Sequence, residues 1–260
     1  MRGIIEFKFK PKFIMKAKQT KNSTNARRVN ESNMIHSIKI EEIVVSLLLL
    51  LFIPNLLVAQ SFDIDRNSIG IMYKGKRPIG TGFICQYPNL ITTCAHIFED
   101  ENKDDSFIYR TTDGDFSAEL LYSDDERDIA VLRVSDMKIE KPLALTKDFS
   151  IHKGTGLVLM GYDHTAIDQI TVSPVKVIEF NKQDVGKGQQ RDLIGFYGIA
   201  DHGYSGGPVF KWNGEVYALI IIADFDNKNP ENSKESFNVA VILEDLSSIL
   251  DSLSKNERSK

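Results

Sequence analysis

An all-β protein of two six-stranded antiparallel β-barrels, followed by a C-terminal α-helix, is the fold class the sequence predicts, on three observations. From Ser61 to about Asp245 the chain is a series of short apolar or alternating runs cut by turn residues, and no long helical pattern interrupts them. Twelve such runs occur, enough for two barrels of six. A polar stretch, Lys138–Ser150, falls near the middle of the series. The expected organisation is therefore an N-terminal extension over 1–60, a first barrel over 61–140, a connector over 141–150, a second barrel over 151–242 and a helix with a tail over 243–260.

In order, the expected strands are Ile69–Tyr73, Ile79–Gln86, Leu90–Cys94, Ser106–Thr111, Phe116–Tyr122 and Ile129–Val134, then Gly156–Met160, Ile170–Phe180, Leu193–Ile199, Pro208–Trp212, Glu215–Ala223 and Phe237–Ile242. Tyr87-Pro88-Asn89 separates two apolar runs as a hairpin loop, and Asp113-Gly114 and Asn213-Gly214 are tight-turn pairs, because Gly adopts positive φ without cost. Only Leu243–Lys255 has helical periodicity, with Leu246, Ile249, Leu250 and Leu253 on one face, and this helix is expected to pack on the second barrel.

Composition narrows the function classes. A chain with 42% hydrophobic and 26% charged residues can build an ordinary core, and two cysteines are too few for a disulfide scaffold or a four-cysteine zinc site. Charge is uneven: residues 1–60 hold 10 Lys/Arg against 4 Asp/Glu, whereas residues 61–260 hold 22 against 32. A body of net −10 lacks the basic face that phosphate binding needs, so no nucleic-acid partner is expected.

Ile43–Ile53 is apolar at every position but Ser46 and ends at Pro54-Asn55, a length that suits an export signal better than a spanning helix of about 20 residues. Cleavage after Ala59 would leave Gln60 first. The alternative is an uncleaved membrane anchor over 43–59; with the signal removed, no stable membrane association is expected. Residues 1–33 are too long for a signal n-region, whereas Met34–Lys39 makes a normal one, so translation is expected to start at Met34 rather than Met1. No Cys directly follows the apolar run, so a lipid-anchored form is not expected, and a periplasmic or secreted location is the expectation.

Chemistry concentrates in Gly203-Tyr204-Ser205-Gly206-Gly207-Pro208, where a serine flanked by glycines sits on a backbone free to bend sharply and to be approached closely. A serine hydroxyl is a weak nucleophile until a base takes its proton, so a histidine and an orienting carboxylate should accompany it. Leu90-Ile91-Thr92-Thr93-Cys94-Ala95-His96 supplies the first, and Asp128-Ile129-Ala130-Val131-Leu132 the second, at another boundary between polar and apolar sequence. Asp124 and Asp125 compete with Asp128, which is preferred because the apolar run begins directly after it.

These three segments resemble, in order, the T-A-A-H, D-I-A-L-L and G-x-S-G-G-P motifs of the chymotrypsin-like (trypsin-fold) serine proteases, over most of residues 66–242. The short gaps and the residue before the serine are similar to the bacterial HtrA and glutamyl-endopeptidase side of that family. The resemblance implies a serine endopeptidase acting on polypeptides through an acyl-enzyme, with His96 as general base, Asp128 holding its tautomer and Ser205 as nucleophile. It also implies an oxyanion hole from the N–H groups of Gly203 and Ser205, with no cofactor and no metal. Tyr204 replaces the Asp that zymogen-activated members pair with a new N-terminal amine, so no such activation is expected.

By the same resemblance the pocket for the residue preceding the cut bond takes Ile199 at its floor, Ile221, Ile222 and Ala223 on one wall and Asn238–Ala240, with Val239, on the other; being nearly all apolar, it is expected to prefer small or medium apolar residues. HtrA-type enzymes usually carry a PDZ-like domain after the protease, and none is expected in the residues that follow Ile242 here. Rival readings are a catalytically silent pseudoprotease that only binds peptides, and a triad enzyme acting on esters or on one partner protein. His202, His152 and His164 are read as solvated, and the acidic residues Glu99, Asp100, Glu101, Asp104 and Asp105 as a solvated loop. Turning about Pro88-Asn89 would set Cys85 opposite Thr92 and Cys94 diagonal to Cys85, so two free thiols are expected although a disulfide stays open.

Overall fold

The structure is a computed structural model that describes residues 64–258, apart from 99–105, 138, 164–168, 187–188, 200–202 and 230–231. The N-terminal extension with its apolar run, the acidic loop residues 99–101, 104 and 105, and both His164 and His202 lie outside the described residues. Twelve strands occur: β1 (Ile69–Lys74), β2 (Arg77–Ile84), β3 (Leu90–Thr93), β4 (Phe107–Thr111), β5 (Gly114–Asp124), β6 (Ile129–Val134), β7 (Gly156–Tyr162), β8 (Ile170–Gly186), β9 (Gln189–Gly198), β10 (Pro208–Lys211), β11 (Val216–Asn229) and β12 (Asn232–Ile242). Among the described residues one α-helix, α1 (Leu246–Arg258), follows them.

The strands close into two antiparallel barrels, in the orders β1-β2-β3-β6-β5-β4 and β7-β8-β9-β12-β11-β10, so the second repeats the connectivity of the first. Closure leaves no unpaired sheet edge. Alternation drives the burial: Phe107, Tyr109 and Thr111 of β4 point inward while Ile108 and Arg110 are only half-buried. Ile69, Ile71, Phe83, Leu90, Ile91 and Leu132 fill the first barrel. Leu157, Leu159, Val177, Ile194, Phe196, Val209 and Tyr217 fill the second.

Four differences from the sequence expectation have physical causes. Strands β8 and β9 run to Gly186 and from Gln189, well past Phe180 and Leu193, and β11 and β12 extend to Asn229 and from Asn232. The β8–β9 extension is held by the backbone ladder and by polar cross-strand pairs, Lys182 with Asp192 at 3.1 Å and Arg191 Nε donating to Gln183 at 2.8 Å, so no apolar alternation marks it. In the β2–β3 hairpin Phe83, not Cys85, lies opposite Thr92. Both thiols are free and buried, Cys85 reaching only the Thr92 hydroxyl, at 3.9 Å; burial pushes the Cys85 thiol up to about 12.

The third and fourth concern what ties the barrels together. Residues 138–150 are not a bare polar linker: Leu143 exchanges hydrogen bonds with Ile84 and Gln86 at the end of β2, and Ala144 and Thr146 do so with Val216 of β11. Helix α1 is not docked on the second barrel alone. Leu243 N–H donates to Tyr217 of β11 at 3.2 Å, but Asp251 accepts from Gln86 Nε2 at 2.7 Å and from the Tyr87 hydroxyl at 2.8 Å, both in the first barrel's hairpin loop. Leu246 and Leu250 are fully buried beneath it.

Leu250→Ala should lower the unfolding free energy by about 2–5 kcal/mol, the usual cost of emptying a buried leucine site. Urea unfolding measures it, and a loss under about 1 kcal/mol would show that α1 is not part of the cooperative unit.

Candidate active site

Where β3 ends, the chain passes through Cys94 and Ala95 into a single 3₁₀ turn, His96–Phe98, and buried Ile97 and Phe98 pin that turn while the His96 side chain stays 33% exposed. Asp128 sits at the mouth of β6 with φ +58°, a left-handed conformation that Asp tolerates better than most residues. Both of its oxygens face His96: Oδ1 accepts the backbone N–H at 2.9 Å and Oδ2 lies 2.8 Å from Nδ1.

Burial alone would raise the Asp128 carboxyl, but the hydrogen bond and charge of His96 and the backbone N–H groups of His96 and Ala95 outweigh it and hold the group below the usual carboxylate range. An ionised carboxylate only accepts, so Nδ1 carries a proton and Nε2 is the ring nitrogen left to act as a base. Asp124 is engaged by Arg127, through its N–H at 2.9 Å and Nε at 2.7 Å, and Asp125 by the Ser123 hydroxyl at 3.1 Å; neither competes for the histidine.

The Ser205 turn precedes β10 and is fixed by one residue of the other barrel. Thr81, fully buried on β2, donates its N–H to the Ser205 carbonyl at 2.8 Å and its hydroxyl to the Gly203 carbonyl at 2.6 Å. The same hydroxyl accepts from Tyr162 N–H of β7 at 3.1 Å, and the Thr81 carbonyl accepts from Thr93 Oγ1 of β3 at 2.7 Å. The serine turn is thus held against the strand pair from which His96 departs. Contact is too close for side chains: a Cβ on Gly206, where φ is +84°, would overlap Thr93 Oγ1 and the Thr81 carbonyl.

Within the turn Gly206 N–H donates to Ile220 and Gly207 N–H to Tyr204, each at 2.8 Å, while the N–H groups of Gly203 and Ser205 have no partner among the described residues. Tyr204 is 2% exposed and belongs to the second barrel's core, its ring filling space left by Gly161. The Ser205 hydroxyl is not hydrogen-bonded among the described residues, and His96 Nε2 faces Cys94 Sγ at 3.7 Å. Such bonds are often long without substrate. Ligand atoms of Cys94, His96 and Asp128 lie within 4.8 Å of one another, but both Asp128 oxygens are occupied by His96, so the trio is a hydrogen-bonded assembly rather than a three-ligand cage.

Of the expected pocket residues, Ile199 is 47% exposed, so it is not a covered floor. Ile221 is buried and Val239 half-buried, and the register sets Ile222 and Ala223 opposite Val239 and Asn238. His152 is exposed in the loop before β7. The sequence reading missed the contacts of Thr81 and Cys94, and it placed Asn238 only as one member of a pocket wall. A β-branched polar residue between two strand glycines, and an Asn on the inward phase of β12, are the signals that mark the first and last.

A trypsin-like peptidase domain matches residues 80–219, more than half of the chain, and the chain belongs to that family. Among curated proteins it is 26% identical over 144 residues to a probable periplasmic serine endoprotease, DegP-like, of Rhizobium meliloti, covering 55% of this chain and 27% of that one. It is likewise 26% identical over 141 residues to serine protease HTRA1 of Xenopus laevis, covering 54% and 30%. The chain thus spans about 30% of the length of these relatives. Solved structures with the same fold include the inactive form of the Mycobacterium tuberculosis protease Rv3671c, with a TM-score of 0.56 and 21% identity over 72% of this chain and 89% of that one. Another is the HtrA-type protease AlgW with a tripeptide, at 0.58 and 19%, covering 72% and 60%.

Thr81→Val keeps the shape but strands the Gly203 carbonyl and the Tyr162 N–H; about 1–3 kcal/mol of stability should be lost per buried group, read from urea melts. Asp128 makes a second expectation. Its carboxyl is depressed in the folded state, so its contribution to stability is complete above the unfolded value near 3.9 and disappears as pH falls through the folded value. The stability gap between the native protein and Asp128→Ala should therefore be wide at pH 6 and narrow at pH 3; an equal gap at both would contradict the ionised assignment.

Proposed function

We propose that this chain is an exported serine endopeptidase that cuts polypeptides through a Ser205 acyl-enzyme. The observation that carries the reading is the double engagement of His96 by Asp128 beside a serine turn clamped by Thr81. Ser205 Oγ attacks the substrate carbonyl carbon and its proton passes to His96 Nε2. The N–H groups of Gly203 and Ser205 receive the oxyanion, each donor of this kind contributing about 3 kcal/mol to the barrier reduction. As the C–N bond breaks, His96 returns that proton to the leaving amine, and water then repeats the sequence to free the acid. Asp128 keeps Nδ1 protonated and stabilises the imidazolium in between.

Burial of Tyr204 in the barrel core supports a serine turn that stands without a newly cut N-terminus, since packing holds the position where an ion pair would otherwise be needed. Export is supported by the apolar run 43–53 and by relatives named as periplasmic. The alternative of a silent peptide-binding module draws on one observation, the absence of a hydrogen bond from the Ser205 hydroxyl to His96.

Fluorophosphonate treatment of the full chain, followed by intact mass, separates the two. One adduct should form, Ser205→Ala and His96→Ala should not react, and Asp128→Asn should react about 10³–10⁴-fold more slowly because the wrong imidazole tautomer is favoured. An unreactive native protein would sink the endopeptidase reading in favour of peptide binding.

A further inference from the structure

Asn238 is 0% exposed on β12, and its neighbours on the same inward face, Ser236 and Ala240, are 2% and 0% exposed. It lies opposite Phe196 of β9 and Ala223 of β11. Its Nδ2 donates to the Gly198 carbonyl at 3.2 Å and to the Ser236 carbonyl at 2.8 Å. Two carbonyls can be served only by the NH₂ end, so the orientation of the amide is fixed and Oδ1 points away from both. That Oδ1 is the one buried side-chain polar atom among the described residues with no partner. A bare buried acceptor is costly, and a use as a recognition group would account for its retention.

Its position supplies the use. Ala240, two residues along the same face and so about 7 Å away, pairs with Ile220. Ile220 in turn donates to Gly207 and accepts from Gly206, in the turn that carries Ser205. On the other side Gly198 leads through Ile199, whose N–H donates to Ser173 Oγ at 3.2 Å, toward Gly203. Ser173, Ser236 and Asn238 are buried, and all three meet the end of β9: Ser236 pairs with Gly198, Asn238 donates to its carbonyl, and Ser173 accepts from Ile199.

Resting on the peptidase reading above, we propose that Asn238 is the specificity determinant for the residue preceding the cut bond, and that the site takes glutamine. Its Oδ1 requires a donor. An ionised Asp or Glu side chain offers acceptors alone, and an apolar side chain leaves Oδ1 bare. Ser and Thr are too short for a fully buried atom, and Lys or Arg would bring a charge to three groups none of which is ionised. A glutamine amide combines a long side chain, an N–H donor and neutrality.

The test compares two internally quenched peptides identical except for the residue before the cut bond, glutamine in one and methionine in the other, which matches its length but has no donor. The full chain should show kcat/KM higher for glutamine by about tenfold or more, and Asn238→Leu should bring the ratio to one or below. A native ratio near one, or an unchanged ratio in Asn238→Leu, overturns the proposal while leaving the peptidase reading intact if Ser205 still takes the probe. If Ser205 proves unreactive the peptidase reading fails, and calorimetry with product peptides ending in glutamine or methionine, on Ser205→Ala, decides the pocket: tighter glutamine binding that Asn238→Leu abolishes upholds it, and equal affinities overturn it. Asn238→Ala replaces the leucine variant if the latter does not show a cooperative melt.

Discussion

The placement of the serine turn against the first barrel depends on the hydrogen bonds of Thr81. A threonine in the first barrel fixes both carbonyls of the serine turn, one through its N–H and one through its hydroxyl, while it accepts from Tyr162 in the second barrel and from Thr93 on the neighbouring strand. All of its polar atoms are paired and none is exposed, so the four bonds act in a setting where an unpaired group is costly and no water competes. Two barrels that each fold around their own core acquire one mutual orientation there, and the glycines at 80 and 206 let the backbones come close enough for it.

Electrostatics and packing divide the remaining work. Asp128 is buried yet ionised because His96 meets it twice, once through the ring and once through the backbone, and this same pair sets which imidazole nitrogen keeps its proton. Cys94, beside Nε2, is held neutral: burial raises its thiol well above the ordinary value and the Asp128 charge raises it further, so it stands by the histidine as a small apolar neighbour and not as a rival thiolate. On the serine side no charged side chain among the described residues holds the turn. Tyr204 anchors the turn by filling the space above Gly161, an apolar solution to a constraint that an ion pair would meet only at a desolvation cost.

What the sequence disclosed follows the same division. The strands were legible as short apolar or alternating runs cut by turn residues: β4 alternates between buried and half-buried positions, whereas β1, β3, β6 and β7 are buried almost throughout. Segments stabilised by backbone ladders and exposed polar pairs, such as Lys182 with Asp192, carry no such signature, so the long β8–β9 and β11–β12 arms were not. The residue types at 96, 128 and 205 were legible from local motifs, whereas the hairpin register around Cys85, the attachment of α1 to Gln86 and Tyr87, and the hydroxyl bonds of Thr81 are long-range facts that no window of sequence contains. Asn238 is intermediate: the phase of β12 points it inward, but only the two carbonyls that claim its NH₂ reveal which atom is left over.

The repeated connectivity of the barrels explains why the site lies where it does. With the same strand order in each half, neither barrel has an open edge at which to bind a chain, and each can place chemistry only on its loops. The first contributes His96 at the end of β3 and Asp128 at the start of β6, neighbours because β3 and β6 pair from Leu90 with Arg133 to Thr93 with Ala130. The second contributes the Ser205 turn between β9 and β10. Because the histidine and the serine belong to different closed sheets, their separation is not set by either core but by the contacts across the seam, of which Thr81 makes the greatest share of those described. A substitution deep in one barrel can therefore lower stability and leave the site's geometry intact, whereas the loss of one hydroxyl at the seam moves the two halves of the chemistry relative to each other.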